Sequence, residues 1–284
     1  MNTLTNITVL GGGVLGAQIA FQAAFHGKNV TIYDINDEAL DAARERVEKL
    51  VPVYTQAMTD APEGQGAKAA ASMKLSADLA EAVSDADLVI EAIPEILDLK
   101  KRVFADLASV APEKTIFATN SSTMVPSQFA AEAGRPDRFL ALHFANNIWV
   151  QNVAEVMGTE RTSQEAYDAV VEYAKETGMD PILVKKEQPG YVLNSLLVPL
   201  LKASSALYVN GVADVETIDH AWRKGTGAQS GPFQMYDVIG LRTAYNVASA
   251  GTTPEDAAFA EVLKTEFLDK GKFGIASGEG FYKY

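Results

Sequence analysis

The stretch "ITVLGGGVLGAQIA", Ile7 to Ala20, leaves this chain few ways to fold. Its first four residues are β-branched or apolar and predict a short buried strand. The strand runs directly into glycines, and Gly11, Gly13 and Gly16 fall in Gly-x-Gly-x-x-Gly spacing. "VLGAQIAFQAAF" continues as a helix that Gly27 is placed to stop. "NVTIYD" then gives a second strand, so the whole is a βαβ unit with a right-handed crossover. A tight turn, a close backbone approach to a pyrophosphate and helix-on-strand packing each need a residue without Cβ. The helix start, with Val14 and Leu15, offers free N–H groups and a positive dipole end to phosphates. Asp34 ends the second strand, eighteen residues past Gly16. An acid there accepts from a ribose 2′-hydroxyl and repels a 2′-phosphate. With Asp37 and Glu38 behind it and no Lys or Arg beside it, the cofactor read here is NAD, not NADP. The plainer reading is a glycine turn of another α/β fold, with Asp34 merely opening a loop.

Further strands are expected at "ADLVIEAI", "TIFATNS" and "RFLALHFA", with helices such as "EILDLKKRVFADLASVA" between them. This alternation predicts an open, mostly parallel sheet with helices on both faces. Residues 37–82 are Ala-rich and charged around Pro62-Glu63-Gly64, which reads as an inserted helical hairpin. "NVAEVMGT" is a strand, followed by a helix with Thr162 and Glu165 in capping-box spacing, and "DPILVKKEQPG" carries the last strand. Beyond Pro189-Gly190 the sequence reads as helical throughout. The expected domains are 1–186 and 187–284.

Thirty-seven acids against 24 bases give a net charge of −13, which argues against nucleic-acid or anionic-membrane partners. Cysteine is absent, excluding disulfides and thiolate metal sites; no metal is expected. No export signal is visible at the N-terminus. The apolar run "VLNSLLVPLL" is far too short to span a bilayer. The reading is a soluble, cytoplasmic protein.

From Phe139 to Met157 the only titratable side chains are His143 and Glu155. Charged groups are seldom buried without a partner. His143 lies at the C-terminal end of a predicted strand, where open α/β sheets place ligands. Two strands joined by "ANNIWVQN" can fold back and bring the two side chains together. A carboxylate on one imidazole nitrogen fixes the tautomer and leaves the other nitrogen as a base for a substrate alcohol. The bland alternative is an edge-strand glutamate in water and a histidine satisfied in the core. Asn120, Ser121, Ser122 and Thr123, ending "TIFATNSST", read by themselves as turn and helix-capping residues. Asn194 is an amide in an apolar helix, bonded to a neighbour or reaching into a cleft.

Together "GGGVLGAQIA", "DLVIEAIPE", "TIFATNSST", "LHF" with Glu155 twelve residues past the His, "PGYVLNSLLVPLL", "GPFQMYDVIGL" and "GEGFYKY" resemble the 3-hydroxyacyl-CoA dehydrogenase family over essentially the whole chain. The resemblance implies an N-terminal Rossmann-type NAD-binding domain with an inserted helical hairpin, then an all-α C-terminal domain that forms a homodimer. It makes His143 the general base and Glu155 its orienting carboxylate. Ser122 and Asn194 would contact the substrate oxygen or the His. Ser122 is chosen over Ser121 because it lies twenty-one residues before His143, as the family's serine does. Glu95, Lys100 and Asn120 would help hold the cofactor.

The departures bear on substrate. "HFANNIWVQN" replaces the family's Phe-Asn-Pro-like segment, with Asn147 and Trp149 where prolines are common. The hairpin that grips coenzyme A in the family is typically basic. Here residues 38–74 hold five bases against six acids, which weakens the case for a CoA thioester. The segment is especially similar to bacterial diketoreductases, which share "HFAN-x-x-WV" and act on carbonyls without CoA. Asn146 and Trp149 then become candidate substrate contacts, Trp149 as an apolar wall or else a core aromatic. The expected activity is NAD-dependent interconversion of 3-hydroxyacyl and 3-oxoacyl compounds. The alternatives are a CoA-independent diketoreductase, or an inactive NAD-binding structural or sensing protein.

Overall fold

The computed structural model describes residues 3–284. The chain divides into two compact units, one reaching to Val192 and one from Leu193 to Tyr284. In the first, β1 (Asn6–Leu10) leads into α1 (Val14–Phe25), β2 (Asn29–Tyr33), α2 (Asp37–Ala57), α3 (Gln65–Ser72), β3 (Lys74–Ser76) and α4 (Leu79–Ala82). Then come β4 (Leu88–Glu91), α5 (Leu97–Val110), β5 (Ile116–Thr119), β6 (Phe139–Phe144), β7 (Val153–Gly158), α6 (Gln164–Glu176) and β8 (Asp180–Val184). The strands form one sheet in the order β3-β2-β1-β4-β5-β6-β7-β8. Every neighbouring pair is parallel except β6 and β7.

Successive strand residues point to opposite faces. Here both faces are covered: Val9, Ile90 and Ala118 enter one core, and Leu10, Val89 and Phe117 the other. That is why these strands read as continuous apolar runs instead of alternating ones. Each large side chain buried this way contributes about 1.5–3 kcal/mol. α1 is buried almost all round, from Gly16 to Phe25, because it lies between the sheet and the hairpin of α2 and α3. α2 buries one stripe, Leu40, Ala43, Val47, Leu50 and Tyr54, at helical spacing. Asn36 caps it, its side chain accepting from Ala39 N–H.

Three details differ from the sequence expectations. The hairpin segment ends in a short strand, β3, which extends the sheet edge beside β2. Its three residues are too few for a period-2 pattern to show. The helix after β7 is capped by Ser163, one residue later than the spacing suggested, with Ser163 Oγ accepting from Ala166 N–H. Thr162 Oγ1 is occupied instead by a 2.6 Å bond to the Phe139 carbonyl. The first unit also runs to Val192, past the expected boundary at Lys186, because residues 187–192 are hydrogen-bonded to the sheet side of the chain.

The second unit is helical: α7 (Leu193–Val209), α8 (Val215–Thr226), α9 (Pro232–Ile239), α10 (Leu241–Ser249) and α11 (Pro254–Val262). Leu201, Phe233, Tyr236, Leu241, Phe259 and Leu263 form its core. Two buried acids tie the final segment to it. Asp219 accepts from Phe233 N–H, Gln234 N–H and the Tyr282 hydroxyl, while Asp237 accepts from Phe281 N–H, Tyr282 N–H and the Tyr284 hydroxyl. Among the described residues no helix is long and apolar enough to cross a membrane.

Candidate active site

The glycine turn is built by contacts that exclude side chains. Gly11 has φ +94°, and a Cβ at Gly16 would stand 1.9 Å from the Gly11 carbonyl oxygen. Any other residue at 16 would push the helix off the strand. A Cβ on Gly13 would meet nothing within 4 Å. That open side faces a cleft of about 370 Å³ running past Val14, Leu15 and Gly16 to Ala92, Asn120 and Ser122. Asp34 stands where β2 ends, with Oδ2 accepting from Gly12 N–H at 2.8 Å and Oδ1 from Ile35 N–H at 2.8 Å. A carboxylate has about four lone-pair sites, so both oxygens retain capacity for a ribose hydroxyl. Arg46 of α2 donates to the Gly12 carbonyl and steadies the same turn. Glycine cradle, exposed helix start and terminal acid fit a dinucleotide.

His143 and Glu155 are directly opposite each other in the antiparallel ladder of β6 and β7. Directly opposed residues project to one face of a sheet, with Cβ atoms about 5 Å apart. His143 Nδ1 lies 2.9 Å from Glu155 Oε2, and both side chains are almost fully buried. Glu155 Oε1 accepts from Val192 N–H at 2.9 Å. His143 Nε2 is 3.0 Å from Ser122 Oγ. With Nδ1–H donated to a carboxylate, the network assigns the lone pair to Nε2 and makes the Ser122 hydroxyl its donor. The imidazole is thus held at one nitrogen and presents the other where Ser122 lines the cleft.

Tyr191 lies against this pair. Its ring is stacked on His143, centroids 4.4 Å apart and planes 13° apart, and its hydroxyl donates to the Ser121 carbonyl at 2.7 Å. Tyr191 has φ 55°. A bulky residue in the left-handed region costs about 1–3 kcal/mol and persists only where surroundings over-determine it.

The loop bearing Ser122 is anchored by Glu95. Its Oε1 accepts from Ser121 Oγ, Ser122 N–H, Thr123 N–H and Thr123 Oγ1. Burial opposes ionisation of Glu95, but these donors and the Lys100 ammonium outweigh it and hold its carboxyl below the usual range. Lys100, 1% exposed, bridges Glu91 at 2.5 Å and Glu95 at 3.2 Å. Burial pushes the Glu91 carboxyl up, while Lys100, Thr119 Oγ1 and Ile93 N–H pull it back. Thr119 Oγ1 in turn accepts from Ser121 N–H. Asn120 uses Oδ1 on Phe144 N–H, joining the end of β5 to the end of β6.

The structure therefore gathers Gly11, Gly13, Val14, Leu15, Gly16, Asp34, Glu95, Lys100, Asn120, Ser122, His143 and Glu155 within the first unit. Asn146 is exposed in the β6–β7 connection. Trp149, in the same connection, packs its ring on Tyr54 of α2, centroids 5.7 Å apart, at the edge of the main core. Asn194 belongs to the second unit, half-buried in the first turn of α7. Tyr191, Glu91 and the Asn147 N–H bond to Gln18 Oε1 were not anticipated from sequence. Glu91 carried a usable signal, an acid inside the apolar run "LVIEAI".

The profile described as the 3-hydroxyacyl-CoA dehydrogenase NAD binding domain matches residues 6–188, and that of the C-terminal domain matches 190–284. The mitochondrial hydroxyacyl-coenzyme A dehydrogenase of Homo sapiens is 36% identical over 287 residues, covering 98% of this chain and 91% of that one. A solved diketoreductase, described as acting on dicarbonyl compounds, is 58% identical and superposes with a TM-score of 0.96 over 100% of both chains. (S)-3-hydroxybutyryl-CoA dehydrogenase from Ralstonia eutropha is 29% identical with a TM-score of 0.80 over 99% of each chain. The first unit is an NAD-binding domain, and the protein is an oxidoreductase acting on CH–OH groups. Both halves of the chain and its full-length relatives lead to one conclusion: it belongs to the 3-hydroxyacyl-CoA dehydrogenase family.

Proposed function

We propose that His143 is the acid–base group of an NAD-dependent interconversion of 3-hydroxyacyl and 3-oxoacyl compounds, with Glu155 orienting it. The observation that supports this most is the imidazole bonded to Glu155 through Nδ1 while Nε2 faces Ser122. In oxidation, Nε2 takes the hydroxyl proton as the carbinol C–H bond breaks; in reduction, Nε2–H returns a proton to the carbonyl oxygen. Bound NAD supplies the acceptor for the hydride, and NADH its donor. Gly11, Gly13, Val14, Leu15, Gly16, Asp34 and Asn120 are assigned to hold it. Glu95 and Lys100 act beside them by fixing the 121–123 loop. Ser122, Asn146, Trp149 and Asn194 are assigned to the substrate side.

Oxidation requires a neutral imidazole and reduction a protonated one. The oxidative rate is therefore expected to rise with pH and the reductive rate to fall; parallel profiles would overturn the role of His143.

A CoA-independent dicarbonyl or β-keto ester substrate is favoured over a CoA thioester. Arg44 pairs with Asp41, Lys49 with Glu45, and Arg46 bonds the Gly12 carbonyl, so three of the hairpin's five cations are engaged within the protein. The 58% identity to a diketoreductase points the same way. Acetoacetyl-CoA and an ethyl β-keto ester, each assayed with NADH and NADPH, separate the two. A thousandfold preference for the thioester would reverse the choice. NADH binding without turnover of any 3-oxo compound would leave a sensing or structural protein.

We further infer a homodimer through the helical unit, where Leu193, Leu196 and Leu207 of α7 are exposed. A monomer by light scattering would remove it. The cysteine-free composition suits the cytoplasm; activity recovered in an exported fraction would refute that location.

A further inference from the structure

We propose that Tyr191 is a positioning residue for the reaction, fixing the plane of the His143 ring and the segment bearing Ser122 with one side chain. This rests on the acid–base role of His143 given above.

A histidine held at Nδ1 alone can still rock about its last side-chain torsion, because that torsion is broad. The Tyr191 ring forms a flat wall on one face of the imidazole, 13° from parallel, and removes that freedom. At its far end the hydroxyl holds the Ser121 carbonyl, one residue before Ser122. The same short segment donates Val192 N–H to Glu155 Oε1. Base, orienting carboxylate and serine are thereby tied to two consecutive residues. Burial, and next the carboxylates of Glu95 and Glu155, push the Tyr191 phenol above its ordinary value, so the hydroxyl remains a donor at working pH. The positive φ of Tyr191 fits this reading, since Tyr191 N–H donates to the Gln188 carbonyl and the backbone must turn there for the ring to reach His143. Glycine would meet the backbone requirement alone. It would supply neither wall nor hydroxyl.

The test compares Tyr191→Phe and Tyr191→Leu by turnover of a β-keto ester with NADH and by the low-field ring N–H resonance of His143. The chain has three histidines, so His143→Asn assigns that signal. Tyr191→Leu is expected to lower kcat roughly tenfold or more, with KM changed less than about threefold, because misplacement by a fraction of an ångström acts on the chemical step. Its ring N–H signal should broaden as water reaches the imidazole. Tyr191→Phe should keep the signal and lose a few-fold in kcat with KM unchanged. A sharp signal and kcat within twofold of wild type in Tyr191→Leu would overturn the proposal. Should that variant fail to fold, Tyr191→Phe decides: wild-type kcat refutes it, and a few-fold fall with unchanged KM supports it. Failure of the underlying reading looks different. Turnover surviving in His143→Asn removes the acid–base role itself, whatever the Tyr191 variants do.

Discussion

Glu91 at the end of β4 and Glu155 in the middle of β7 belong to one sheet and are 0% and 1% exposed. Glu91 meets a lysine ammonium, a threonine hydroxyl and a backbone N–H. Glu155 meets an imidazole and a backbone N–H. The first partner, Lys100, is 1% exposed and pairs with both Glu91 and Glu95, so that region is locked. The second partner is an imidazole that meets Glu155 through Nδ1 and turns Nε2 to Ser122, so one of its nitrogens faces the cleft. Equal burial thus serves two ends: Glu91 and Lys100 hold the loop on which Ser122 sits, and Glu155 holds the imidazole proposed above as the acid–base group.

The comparison can be broken most severely at Lys100. Lys100→Met leaves a buried carboxylate without its counter-ion and is expected to cost roughly 3–5 kcal/mol in urea denaturation. Adding Glu91→Gln should restore part of the loss, and a neutral single mutant would mean the region is not locked by charge. His143→Asn keeps an amide donor for Glu155 and is expected to cost less stability than Lys100→Met while lowering kcat on the order of a hundredfold or more. Equal losses in stability and turnover would erase the distinction. Glu155→Gln keeps the shape and an acceptor but removes the charge. We expect kcat to fall by roughly ten- to a hundredfold, with the pH profile flattened; a variant as active as wild type would make Glu155 a passive neighbour.

The smallest effect concerns pH at Glu95. Its folded carboxyl lies below the usual value of 4.5. A depressed acid stabilises the fold above its unfolded pKa and loses that contribution as pH falls through the folded one. The amides of Ser122 and Thr123 are therefore expected to exchange faster with solvent below pH 4.5, before the sheet does; simultaneous loss would detach Glu95 from the loop.

The parts legible in the sequence were those with local causes. Gly11, Gly13 and Gly16 announce their turn because each steric demand lies within a few residues. His143 and Glu155 were legible as a pair because two uncharged strands isolate them, and a short connection makes the strands antiparallel neighbours. Glu91 carried the same kind of signal, but its partner Lys100 lies on a helix, and no strand pattern points from one to the other. Tyr191 was invisible for a stronger reason. It lies forty-eight residues beyond His143, and its ring meets the imidazole only once residues 187–192 fold back on the sheet. Trp149 remained open between pocket wall and core aromatic; the contact that bears on it, Tyr54, comes from the distant α2.

The antiparallel ladder of β6 and β7 has a consequence for comparing such proteins. What joins imidazole to carboxylate is the pairing of His143 with Glu155 across the strands, not the count of residues between them. Extra residues at the tip, around Asn147, would leave the pairing intact. Loss of one residue inside β7 would turn the carboxylate to the far side. Searches keyed to a fixed His-to-Glu interval would therefore pass over chains with longer tips, whereas matching strand parity would retain them.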